Sequence, residues 1–145
     1  MTFNELKIIF PDATTERWRK HSLGGGWVEI TAYVAESAYV GRDAIVFGNA
    51  RVTANATISG NARVSGKAWV SGNTGVSGNA EVCGNALVFG TAQVSGDAEV
   101  YGDAQVFETA QVGENARVFG SSQVSGRSLV FGDTVVSGDK IIKNY

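Results

Sequence analysis

Residues 56–66 read Ala56-Thr57-Ile58-Ser59-Gly60-Asn61-Ala62-Arg63-Val64-Ser65-Gly66, and the same six-residue metre runs from Val28 to Ile142 without insertion or deletion. Every sixth residue of that span is a β-branched aliphatic, eighteen Val and two Ile. Ala stands two residues before it in fourteen of the twenty units. Gly followed by Asn or Asp usually comes two residues after it, as at Gly60-Asn61, Gly78-Asn79 and Gly96-Asp97. A fixed short period of this kind is the mark of a solenoid. Ala and Val are two apart, so both face the same side of a strand while the residues between them face the other. Gly, Asn and Asp tolerate the left-handed backbone that an abrupt bend needs. Each hexad therefore predicts a very short strand ending in a corner. One hexad buries nothing by itself; stacked turns share backbone hydrogen bonds and enclose a continuous column of Val.

Units such as Ile58-Ser59-Gly60-Asn61-Ala62-Arg63 and Val76-Ser77-Gly78-Asn79-Ala80-Glu81 resemble the hexapeptide repeat. That resemblance implies an all-β, triangular parallel β-helix with three hexads, about 18 residues, to each coil. Twenty hexads would then stack to roughly 32 Å at ~4.8 Å per coil. The small residue before each corner favours the left-handed form. The alternative is a right-handed triangular β-helix of the bactofilin kind. The junction Gly25-Gly26-Trp27-Val28 is also similar to a group of enterobacterial and phage hexapeptide-repeat proteins labelled acyltransferase-like. For a phage protein of this shape, action on a host protein is one role the resemblance allows.

Residues 1–26 lie outside the metre and read as a capping segment, with 27–145 as the solenoid. Leu6, Ile8, Ile9 and Phe10 predict a strand or an apolar strip against the solenoid end. Pro11 and Asp12 read as a helix start, with a short helix over 13–21 stopped by Gly24-Gly25-Gly26. A cap is needed because the first coil would otherwise expose unpaired strand edges and the head of the Val column. The cluster Arg17, Trp18, Arg19, Lys20 and His21 also reads as an aromatic-basic binding patch.

If positions eighteen apart stack, the three outer faces differ. One is small and polar, with Ser59, Ser77 and Ser95 in a ladder joined by Gln93 and Gln111. A second places Phe89 over Phe107, with Trp69 and Leu87 beside them. The third places Tyr101 over Phe119 in line with Phe47 and Cys83, and carries Arg63, Glu81, Glu99 and Arg117. Leu129, Phe131, Val135 and Ile141 give the last coils an apolar exterior. Burying several rings would drive association, so Phe47, Trp69, Phe89, Tyr101, Phe107, Phe119 and Phe131 are the candidate interface residues. The resemblance to hexapeptide-repeat proteins implies a homo-oligomer, a trimer or dimer packed side by side.

The chemistry is thinner. Hexapeptide-repeat acyltransferases use a His as general base with acyl-CoA bound between subunits. The repeats here hold no His; His21, in the cap, is the single one in the chain. One His and one Cys, Cys83, cannot supply a three-His zinc site or a Ser/His/Asp set. Glu81 and Glu99 stack on an open face with no enclosed pocket around them. Asp97, Asp133 and Asp139 read as corner residues, not calcium ligands, and only Thr57-Ile58-Ser59 approaches an ice-binding rung. No catalytic, cofactor or metal residue is therefore expected. A net charge of −2 draws the chain neither to nucleic acid nor to an anionic membrane. With no leader-like segment and no span, the cytoplasm is the default expectation. The reading is a non-catalytic scaffold or protein-binding solenoid that self-associates. Its alternatives are an acetyl-CoA-dependent acyltransferase using His21 or a partner's residue at a site between subunits, and a filament former.

Overall fold

A computed structural model describes residues 1–144. The chain begins with helix α1 (Phe3–Ile9), followed by strand β1 (Trp18–Lys20). The solenoid then opens with β2 (Trp27–Glu29), β3 (Tyr33–Val34) and β4 (Tyr39–Val40). From there two-residue strands recur every six residues, and three parallel sheets wind through the chain. Each strand pairs with those eighteen residues away: Tyr39 with Thr57, Glu81 with Glu99, Leu87 with Gln105. The three sheets give a triangular section and about 18 residues per coil, as the metre predicts.

The interior is the Val and Ala column. Val40 to Val124 and nearly every intervening Ala are fully buried. Each such Val contributes ~1.5–3 kcal/mol through burial. Thr74 replaces Ala in this column, and its Oγ1 is buried with no hydrogen-bond partner. Ser122 and Ser128 take the same slot but donate their hydroxyls to the carbonyls of Phe119 and Ser125.

The corners show why Gly recurs. Gly78 sits at φ +65°, and a Cβ there would come within 2.8 Å of the Gly96 carbonyl in the next coil. Ala54, Glu108 and Glu114 nevertheless take the corner at φ 57°, 59° and 55°. Left-handed backbone costs an L-residue roughly 1–2 kcal/mol. At two of these corners a charge-assisted bond offsets it: the Glu108 and Glu114 carboxylates accept the N–H groups of Gly126 and Gly132 in the coil above. Corner side chains also form ladders, Asn61 donating to Asn79 at 3.1 Å and Asn79 to Asp97 at 2.9 Å.

The cap differs from the expectation in order and in place. The segment around Leu6 is a helix, and the segment expected to be helical holds β1. The helix starts after Thr2, not at Pro11-Asp12: the Thr2 Oγ1 accepts the Glu5 N–H while the Glu5 carboxylate accepts the Thr2 N–H. This capping box starts the helix at Phe3. Trp18-Arg19-Lys20 instead pairs antiparallel with Trp27-Val28-Glu29 and extends that sheet by one edge strand. Charged residues suit an edge. The cap also folds down the outside. Leu6, Trp18, Trp27 and Ile45 form a second apolar cluster with Phe3, Phe10 and Phe47 packed on it. The Met1 amine pairs with Asp43 at 2.7 Å and holds the Asp43 carboxyl below its usual range, while the Trp27 indole donates to the Met1 carbonyl at 3.0 Å.

Candidate functional site

The sheet that starts at β3 carries the main apolar strip. Its outward positions run in register from Tyr33 through Arg51, Trp69 and Leu87 to Gln105, and Phe89 and Phe107 stand in the neighbouring column just after Val88 and Val106. Phe89 and Phe107 lie parallel, centroids 4.9 Å apart and planes 2° apart. Eighteen-residue stacking at strand spacing imposes that geometry. The Trp69 ring is fixed by two neighbours: its Nε1 donates to Thr53 Oγ1 at 3.0 Å, and the Arg51 guanidinium sits 5.3 Å from the ring centre. Trp69 is 42 % exposed. Between Trp69, Ser71, Leu87 and Phe89 lies a shallow apolar groove of about 190 Å³. Sequence reasoning did not foresee the clamp on Trp69 by Arg51 and Thr53, although both residues lie one coil below it in the register.

The sheet that starts at β2 is divided. Its N-terminal part, including Phe47, lies under the cap, with Phe10 4.9 Å from the Phe47 ring. Further along, Tyr101 stacks on Phe119 at 4.8 Å. Arg117 donates to the Tyr101 hydroxyl at 3.1 Å, approaches the Glu99 carboxylate at 3.4 Å and lies over both rings. Such an exposed pair is worth about 0–1 kcal/mol. Cys83 is half-buried, and burial, then the charges of Glu81 and Glu99, push its thiol pKa up. That environment disfavours the reactive thiolate.

The third sheet, from β4, is the polar face, with Thr57, Gly75, Gln93 and Gln111 in register. Phe131 belongs to this sheet, apart from the other rings. It leans over Gly113, where a side chain would meet the ring at 2.4 Å. Leu129, Val135 and Ile141 are exposed.

His21 is 6 % exposed, and its Nε2 lies 2.7 Å from the Ala38 carbonyl. A carbonyl can only accept, so Nε2 carries the proton and donates. The residue lines an open cleft of about 710 Å³ at the solenoid head, together with Arg19, Lys20, Ser22, Tyr33 and Glu36. Among the described residues no group of three or more His, Cys, Asp and Glu side chains is placed to hold a metal ion. No described helix is long and apolar enough to cross a membrane.

Residues 56–72, 92–108 and 110–126 match the family model described as YdcK beta solenoid repeat. Among solved structures, the chain is similar to a mutant perosamine N-acetyltransferase from Caulobacter crescentus in complex with CoA and GDP-perosamine. The identity is 15%, with 77% of this chain and 49% of that chain covered and a TM-score of 0.42. The chain thus spans about half the length of that enzyme. No curated protein matches the chain. The fold and the repeat match together make this a parallel β-solenoid repeat protein.

Proposed function

We propose that the protein is a rigid, non-catalytic binding scaffold that associates side by side through the strip Trp69, Leu87, Phe89 and Phe107. The carrying observation is that strip: stacked rings and a clamped indole on one flat face, around an apolar groove. Exposed aromatic clusters on rigid surfaces are where binding energy concentrates. The seven strands of this sheet, ~4.8 Å apart, make a face roughly 29 Å tall along which two copies can lie side by side. Tyr101 and Phe119 on the adjoining face supply a second contact if three subunits close a ring, and the partner is a second copy of this chain. Light scattering tests this. The chain, 15.2 kDa as a monomer, should elute as a discrete dimer or trimer. Trp69→Ser with Phe89→Ser should give a folded monomer. A monomeric parent, or an oligomer indifferent to both changes, would overturn the reading.

His21 in the wall of the cleft at the solenoid head favours one alternative, an acetyl-CoA-dependent acyltransferase. Against it, the His21 ring already serves the Ala38 carbonyl. Acetyl-CoA binding that is lost in His21→Ala would support the enzyme, and calorimetry showing no heat would remove it. Mass that grows with concentration and collapses in Phe131→Lys would point instead to filaments built through the last coils.

A further inference from the structure

Coils are joined by one rule: the outward residue n donates its N–H to the carbonyl of residue n+17. Tyr33 donates to Ala50 at 2.9 Å, Tyr39 to Ala56 at 2.9 Å, and Ile45 to Ala62 at 3.1 Å. Run backwards, the rule asks residues 15 to 27 to supply the first coil. On the sheet that starts at β2 they do, since Trp27 donates to Ala44 at 3.1 Å and β1 takes the remaining edge. On the sheet that starts at β4 the cap improvises. The His21 ring stands in for a backbone donor to Ala38, Gly26 N–H reaches the Val40 carbonyl at 2.8 Å, and Val40 N–H reaches the Leu23 carbonyl at 3.0 Å.

The leading edge of β3 has no such backbone pairing. The rule puts Arg17 N–H opposite the Val34 carbonyl, but Arg17 donates to Thr14 at 3.2 Å. β3 is the last strand of its sheet and pairs only with Arg51–Val52. Among the described residues, no turn, loop or cap backbone bond involves the Ala32 carbonyl or the Val34 N–H and carbonyl, although the two residues are only 7 % and 6 % exposed. The 710 Å³ cleft touches this edge at Val34 and is lined also by Arg19, Lys20, His21, Tyr33, Glu36 and Ser37. Arg19 and Lys20 are exposed, and neither has an ion-pair partner among the described residues.

We propose that this edge accepts one extended acidic segment of a partner polypeptide as an added strand. Its backbone pairs with the Ala32 carbonyl and the Val34 N–H and carbonyl. Its carboxylates meet Arg19 and Lys20. Strand addition takes affinity from main-chain bonds and selectivity from alternate side chains. Two cations, Arg19 and Lys20, the latter 5.4 Å from the Trp27 ring centre, against one Glu36 set the charge preference. The site is separate from the aromatic strip and does not depend on it.

The chain's own hexads supply matched probes with Ala and Val in the inward slots. These are the blocked peptide Gly-Asp-Ala-Glu-Val-Tyr-Gly-Asp, with the sequence of residues 96–103, and Gly-Asn-Ala-Arg-Val-Ser-Gly-Lys, with that of 60–67. Titrated into the ¹⁵N-labelled full chain at low salt, the acidic peptide should move the amides of residues 19–22 and 32–35. It should bind at least ~5-fold more tightly than the basic one. Arg19→Glu with Lys20→Glu, whose dispersed spectrum verifies folding, should weaken the acidic peptide ~10-fold and reverse the preference. Silence of those amides up to millimolar peptide, equal binding of both peptides, or shifts centred on Trp69 to Phe107 would each overturn the assignment.

Discussion

Phe47 and Phe119 occupy the same slot of the same sheet, four coils apart. Phe47 packs on Phe10 under the cap, whereas Phe119 stacks on Tyr101 at the open surface. Their inward neighbours, Val46 and Val118, are equally buried. Inside, each residue meets its own repeat, so equal slots have equal fates. Outside, the fate of a slot depends on what folds back over it, and only the first rungs lie under α1.

The contrast can be broken most violently from within. Val82→Asp puts an unpaired charge where no water reaches, which costs well over 4 kcal/mol. Because each coil is held only by its neighbours, circular dichroism should show a collapsed or split thermal transition. The cap answers to a milder change. Leu6→Ala empties a fully buried site beneath α1 and should cost ~2–5 kcal/mol of cap stability. Fluorescence of Trp18 and Trp27 should shift to the red while the sheet signal of the middle coils persists. A concerted loss of both signals would show that cap and column are one cooperative unit. Thr74→Ala sharpens the comparison from the other side. It restores the residue of the metre and removes a buried hydroxyl without a partner. Relief of ~1–3 kcal/mol, less about 0.8 for the lost methyl, should raise denaturant-measured stability by about 1 kcal/mol.

Much of this was legible in the chain. The stacking of Phe89 on Phe107 and of Tyr101 on Phe119 follows from counting eighteens, as does the polar ladder of Ser59, Ser77 and Ser95. The cap was misread because its signals compete. Leu6-Ile8-Ile9-Phe10 looks like a strand only if Thr2 and Glu5 are ignored, and Ile8 proves 80 % exposed. Arg19 and Lys20 suit a charged helix as well as a charged edge strand, and the partner Trp27–Glu29 decides between them. Ile45, in an outward slot that the metre leaves open to solvent, is 1 % exposed because α1 lies over it.

The metre of the chain is enough to specify the interior, the eighteen-residue pitch and the recurring Gly corners, because the contacts that enforce them repeat at a fixed short separation. Which outward groups are covered, that His21 replaces a missing backbone donor, and that the β3 edge takes no further strand were settled only in three dimensions. Those contacts join segments that share no period, so no metre in the chain encodes them.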